Sequence, residues 1–259
     1  MKNRLGIVGC GRLSNIVVDA LSGGLLPEYE LVGAYSRTFD SAEALAARVG
    51  GCKACKSMEE LFDLNVDYIV EAASPAAMKE LCRPALSRGI SIVTLSVGAF
   101  AEDAFYEEVK AAAVKGGAKV YIASGATGGF DVLRTATLMG NATAEFFNEK
   151  GPRALQGTPV YSDELLSRQK TVFKGTAKEA IELFPTRVNV TVAASRASVG
   201  PDKMNVTMQS SPYFTGDTQR VEIRNDQVHA VVDIYSATAE IAGWSAVNVL
   251  QKIVSPIVF

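Results

Sequence analysis

Leu5-Gly6-Ile7-Val8-Gly9-Cys10-Gly11-Arg12-Leu13-Ser14 joins a short apolar run to an amphipathic one, in which Ile16, Val17 and Leu21 share a face at helical spacing. The spacing predicts a buried strand, a tight turn and a helix over 12–22. In such a turn the first glycine permits the sharp reversal, and the second lets the backbone approach a pyrophosphate at the positive end of the helix. Ser14 stands where a third glycine is usual, which implies that a small residue still allows close packing of helix on strand. A dinucleotide is the expected ligand, with Gly9, Gly11, Arg12 and Leu13 among its contacts.

The next apolar run, Leu31–Tyr35, ends in Ser36-Arg37-Thr38. A site selective for NAD presents an acid to the ribose hydroxyls here, and none is present. An arginine that can pair with a 2′-phosphate and a serine that can donate to it suit NADP instead. NADP is therefore expected to be favoured over NAD, with Ser36 and Arg37 carrying the preference.

Outward from this unit, short apolar runs alternate with amphipathic stretches. Strands are expected at Leu5–Val8, Leu31–Tyr35, Tyr68–Glu71, Ile90–Leu95 and Lys119–Ile122, with helices over 12–22, 41–49, 75–88 and 102–115. Asp40 followed by Glu43 reads as a capping box, and Ser74-Pro75 as a cap with proline in the first turn. Small residues at Ala72, Ala73 and Ser74 end the strand at 68–71 and leave room for the nicotinamide ribose, so Ala73 and Ser74 join the expected site. After Gly128-Gly129 the pattern turns to alternating Thr/Val-rich segments with helices near 176–184 and 240–252. The fold class expected is α/β: a Rossmann-type doubly wound parallel sheet over 1–124, then a smaller α+β domain over 125–239 with a mixed or antiparallel sheet. The last helix, within 240–259, is expected to pack back on the first domain.

Composition narrows the partners. Of 259 residues, 48% are hydrophobic, and the net charge of −2 is spread without a basic stripe, which argues against nucleic acid. No apolar run approaches the ~18 residues a membrane span needs, and no apolar leader opens the chain, so a cytoplasmic protein without a membrane partner is expected. One Cys52-x-x-Cys55 pair and a single histidine do not assemble a zinc site, and no metal is expected; the cysteines read as surface thiols.

Several segments resemble L-aspartate dehydrogenases in the same order and spacing from residue 1 to about 210. Val70-Glu71-Ala72-Ala73-Ser74-Pro75 and Ser96-Val97-Gly98-Ala99 are similar to strand-end segments of that family. Ser124-Gly125-Ala126-Thr127-Gly128-Gly129-Phe130-Asp131 resembles its SGAIGGLD signature. Phe173-Lys174-Gly175-Thr176-Ala177-Lys178-Glu179-Ala180, running on to Phe184-Pro185-Thr186-Arg187-Val188-Asn189-Val190, resembles its FxGxAxEAxxxFPxNxNV block. The resemblance implies hydride transfer between nicotinamide and the α-carbon of aspartate, cofactor contacts at Ala126 and Asn189, a small-molecule substrate held between the domains, and a homodimer formed through the second domain's sheet.

In the family a histidine after an Asn-Thr pair is the presumed acid/base. Here the run reads Asp217-Thr218-Gln219-Arg220, with glutamine in the histidine position. An amide orients a carbonyl but exchanges no proton near neutral pH. The catalytic residue is thus unassigned. His229 on a neighbouring strand is the one histidine that could substitute, and Asp131, Asp233, Lys170 and Lys203 are further candidates that no spacing singles out. The family's NPxTS-like element is replaced by Ala239-Glu240-Ile241-Ala242-Gly243. An NAD(P)-dependent oxidoreductase acting on a small amino or keto acid, or its imine, is expected, with aspartate, iminoaspartate or oxaloacetate as first guess. The alternatives are a dinucleotide-binding sensor without catalysis, or a reductase of another small carbonyl or imine, related in fold to dihydrodipicolinate reductase or homoserine dehydrogenase.

Overall fold

The computed structural model describes residues 2–184 and 188–259; Pro185, Thr186 and Arg187 of the block quoted above lie outside the described residues. The chain divides into two units, one running to Ala123 and taking in Ala242–Phe259, the other Ser124–Ile241.

The first unit runs β1 (Asn3–Val8), α1 (Arg12–Ser22), β2 (Tyr29–Tyr35), α2 (Phe39–Ala46), β3 (Lys53–Cys55), α3 (Met58–Phe62), β4 (Tyr68–Glu71), α4 (Pro75–Ser87), β5 (Ser91–Thr94), α5 (Asp103–Gly116) and β6 (Val120–Ile122). Every strand pair is parallel, and the order β3-β2-β1-β4-β5-β6 sets β1 beside β4, where the winding direction reverses. Ile7, Val70 and Val93 from the central strands pack with Val17 and Leu45 in one apolar cluster. Each such fully buried side chain stabilises the fold by about 1.5–3 kcal/mol relative to exposure.

Two local expectations change and one holds. No capping box forms at Asp40: α2 begins two residues earlier than read, at Phe39, with Thr38 at its N-cap and Asp40 inside the first turn, where its charge still favours the helix dipole. Ser74 does cap α4, accepting from the Ala77 amide at 3.1 Å. The cysteines are not surface thiols: Cys55 lies on β3, Cys10 and Cys82 are also buried, and Cys52 is half-buried. Burial pushes the Cys10 thiol up to about 11 and those of Cys52 and Cys82 to about 12, which keeps them protonated and unreactive.

The closing helix, α9 (Glu240–Val254), contributes Ala246, Val247 and Leu250 to the same apolar cluster, and the Tyr29 hydroxyl donates to the Leu250 carbonyl at 2.8 Å. Gly243 makes the approach possible. A Cβ there would lie 2.6 Å from Ile16 Cδ1 and 3.1 Å from the Leu13 carbonyl oxygen. The close contact expected beneath α1 from its third-glycine position is thus matched by a glycine contact on α1 from the far end of the chain.

The second unit comprises α6 (Phe130–Leu138), β7 (Thr143–Lys150), β8 (Lys170–Thr176), α7 (Ala177–Leu183), α8 (Asn189–Arg196), β9 (Asn205–Ser210), β10 (Asp217–Arg224) and β11 (His229–Ser236). Its sheet is mixed, in the order β11-β10-β7-β9-β8, with β7 and β9 parallel and the other pairs antiparallel. Thr176 and Glu179 form a full capping box at α7. One face is apolar and buried through Ala144, Phe146, Val206, Met208, Val221 and Ile223, and helices α6, α7 and α8 supply Leu133, Ala180 and Val192 to the interior.

Candidate functional site

The turn Gly9-Cys10-Gly11 leaves β1 at the point where the sheet reverses direction, and its shape follows from two glycines. Gly9 has φ +91°, and a Cβ there would lie 2.7 Å from the backbone and side chain of Ala73, so the turn is pressed against the end of β4. Its amide donates to the Tyr35 carbonyl at 2.8 Å, tying the turn to β2. Gly11, at the N-cap of α1, has open space where its Cβ would be. Ser14 is fully buried and its hydroxyl donates to the Gly9 carbonyl, so the residue replacing the third glycine fastens the turn from beneath.

A cavity of about 400 Å³ opens over this turn. Gly9, Gly11, Ser36, Arg37, Ala73 and Ser74 all line it. Arg12 and Leu13 begin α1 just beyond Gly11 and are not in the lining, while Ala126 and Asn189 belong to the second unit. Arg37 is exposed and, among the described residues, makes no hydrogen bond or ion pair, so its guanidinium is available to an anion.

Glu71, which the sequence reading passed over, organises the opposite wall. It is fully buried at the end of β4, and its Oε1 accepts from the Ala73 amide at 2.9 Å, the Ser74 amide at 3.1 Å and the Ser96 hydroxyl at 2.8 Å. Its Oε2 accepts from the Thr94 hydroxyl at 2.6 Å. Burial pushes the carboxyl up from its ordinary range, and the four hydrogen bonds pull it back. The signal was legible: one acid closing an otherwise apolar strand needs partners.

The residues fit a dinucleotide. A glycine turn with open space above its second glycine, a helix N-terminus and an unpaired cation over the adjacent strand end are the donor set that a pyrophosphate and ribose phosphate require.

In the second unit Gln219 lies on the buried face of β10, 2% exposed, opposite Asn148 of β7 and Ile234 of β11. Its Nε2 donates to Asp217 Oδ2 at 2.6 Å. His229 does not replace it. Its partner across the sheet is Arg224, five residues along β10 from Gln219 and so about 17 Å away at strand rise. It is half exposed, on the opposite face, and its Nε2 is 3.0 Å from Glu222 Oε1. Asp233 shares that face, paired with Arg220 at 3.2 Å, and Asp131 is exposed in the first turn of α6.

The comparisons with known proteins agree with this geometry. Residues 9–123 match the family model described as homoserine dehydrogenase, NAD binding domain, and residues 131–253 match aspartate dehydrogenase, C-terminal. An L-aspartate dehydrogenase of Methanosarcina mazei is 29% identical, covering 98% of each chain. One from Cupriavidus necator is 32% identical, covering 85% of this chain and 83% of that protein. In fold, the chain is similar to the crystal structure of aspartate dehydrogenase from Thermotoga maritima, with a TM-score of 0.78, 24% identity and full coverage of both. A nucleotide-binding turn at the switch point of a parallel sheet, followed by a unit built on a mixed sheet, defines a dehydrogenase of the NAD(P)-dependent oxidoreductase class, acting on a small molecule. The chain belongs to the L-aspartate dehydrogenase family.

Proposed function

We propose that this chain is an NADP(H)-preferring dehydrogenase that interconverts a small amino acid and its imine or keto acid, with aspartate, iminoaspartate and oxaloacetate as the first substrates to test. The observation that carries the cofactor preference is the cavity wall after β2, where Ser36 and Arg37 stand and the strand does not end in an acid; Glu80, which also lines the cavity, belongs to α4. Gly9, Gly11, Ala73 and Ser74 would hold the pyrophosphate and ribose, Arg12 and Leu13 would contribute from the start of α1, and Ala126 and Asn189 are proposed contacts from the second unit. When bound, the nicotinamide supplies hydride chemistry. The protein's part is to bind, orient and exclude water.

The aspartate assignment draws its support from relatives that are named L-aspartate dehydrogenase. Gln219 favours one competing reading, a dinucleotide-binding relative that has lost catalysis, because an amide cannot act as acid/base. A reductase of another small carbonyl or imine is the third. Following NADPH and NADH oxidation with oxaloacetate plus ammonia, and the reverse reaction with L-aspartate, separates them. Turnover with NADPH favoured supports the proposal; tight NADPH binding without turnover on any small keto acid supports the sensor; a much tighter NADH constant overturns the cofactor preference.

We further propose a homodimer formed through the second unit's sheet, where Val231 and Tyr235 are exposed on the edge strand β11. Light scattering of the purified protein tests it. Among the described residues no helix is long and apolar enough to cross a membrane, and the cytoplasm is the proposed location.

A further inference from the structure

The buried face of the second sheet is apolar along most of its length and turns polar at one end. Read across the strands, one row there is Ser236 of β11, Asp217 of β10, Lys150 of β7 and Ser210 of β9, and the row behind it places Gln219 beside Asn148. Residues opposite one another in a ladder project to the same side, so these polar groups share one patch. Asp217 sits at its centre. Its Oδ1 accepts from Asn148 Nδ2 at 2.7 Å, its Oδ2 accepts from Gln219 Nε2 at 2.6 Å, and Lys150 Nζ lies 3.5 Å from the same Oδ2.

Three features set this patch apart from an ion pair that only holds the sheet together. First, both charged groups have capacity to spare: an ammonium has three donors and a carboxylate about four acceptor sites, and the pair engages one donor of Lys150 and three acceptor sites of Asp217. Second, both remain reachable, with side chains 22% and 30% exposed. Third, three oxygens bordering the pair, Gln219 Oε1, Ser210 Oγ and Ser236 Oγ, are buried without a hydrogen-bond partner. Buried polar atoms in folded proteins are nearly always paired, so three such atoms around one ion pair mark a site for a polar ligand. The orientation of Gln219 is chemically fixed, because only its NH₂ can face a carboxylate. Its amide therefore locks Asp217, and the position that carries histidine in the family here holds a positioning residue.

We propose that Asp217 and Lys150 form a subsite for the amino-acid end of a ligand that bears both nitrogen and carboxylate. The Asp217 carboxylate receives the ammonium or imine N–H, and the free donors of Lys150 receive a ligand carboxylate. Gln219 and Asn148 hold Asp217 in place through its two oxygens. This assignment rests on the amino-acid dehydrogenase reading above, and it sharpens that reading: nitrogen is recognised by a fixed anion two residues before the family's histidine position.

The test uses the full-length protein saturated with NADPH, so that L-aspartate cannot turn over, and compares calorimetric binding of L-aspartate with that of succinate, which has both carboxylates and no nitrogen. The wild type is expected to prefer L-aspartate. Asp217→Asn should weaken L-aspartate binding about 10- to 100-fold, the range for a lost hydrogen bond to a charged group, while leaving succinate and NADPH affinities nearly unchanged. Lys150→Met should weaken both acids. If Asp217→Asn does not fold, Lys150→Met decides alone through the succinate constant. Binding of both acids at wild-type strength in the variants overturns the subsite and leaves the dehydrogenase reading standing; equal wild-type affinity for the two acids overturns the nitrogen assignment; a wild type that binds neither acid overturns both.

Discussion

The turn after β1 and the polar end of the second sheet solve opposite problems. At the turn, the groups offered to an anion are backbone ones: Gly9 is pressed against the end of β4, and Gly11 leaves open space at the N-terminus of α1. At the sheet end, recognition is done by side chains: Asp217, Lys150, Asn148 and Gln219 must each be aimed by another. A backbone site tolerates almost no change at its glycines and wide change elsewhere. A side-chain site can exchange one group for another and keep its shape.

The contrast is broken most sharply at Gly9. Gly9→Val places a branched side chain at φ +91°, with its Cβ 2.7 Å from Ala73. The strained backbone alone costs on the order of 1–3 kcal/mol, and displacing the turn should abolish NADPH binding in a fluorescence titration. Retained binding would show that the turn is not the anchor. Next in size is Gln219→His, which supplies a group able to exchange protons. Aspartate turnover should rise by about 10²-fold, the lower end of what a general acid/base contributes, with NADPH affinity unchanged. An unchanged rate would show that the side-chain site has been rebuilt for another reaction.

A smaller effect is expected at Arg37. Arg37→Ala should weaken NADPH binding about 10-fold, the low end for a hydrogen bond to a charged group, and leave NADH untouched; equal losses for both would assign Arg37 to the pyrophosphate instead. The smallest concerns Glu71, the buried acid at the end of β4. Its folded pKa is raised, so its contribution to stability is complete below the ordinary carboxylate pKa and is lost as pH rises through the folded value. Glu71→Gln should flatten that decline in a series of thermal melts above pH 4.5. Parallel melting curves for the two proteins would rule the group out.

The same contrast decides what the sequence could say. The backbone site was legible because its parts are local: Gly9, Gly11, Ser36 and Arg37 are defined by neighbours within a few residues, and all line one cavity. The capping box misread at Asp40 was also local, but α2 begins at Phe39 and draws Asp40 into its first turn, leaving Thr38 at the N-cap without a side-chain capping bond. The side-chain site was legible only as a departure at Gln219. Asp217 was passed over because its importance lies in β7, about seventy positions earlier, whose Asn148 and Lys150 reach it only through the β7–β10 ladder. The helices α6 and α8 went unread for the same reason, their apolar faces being set by a mixed sheet whose strands are not neighbours in sequence.

Gly243 binds together stretches that lie far apart along the chain. The helix it seats on α1 follows the whole of the second unit, so this contact closes a loop that contains that unit. Closing so long a loop costs chain entropy before the contact repays it, so the covering of Ile16 and its apolar neighbours is expected to form late in refolding.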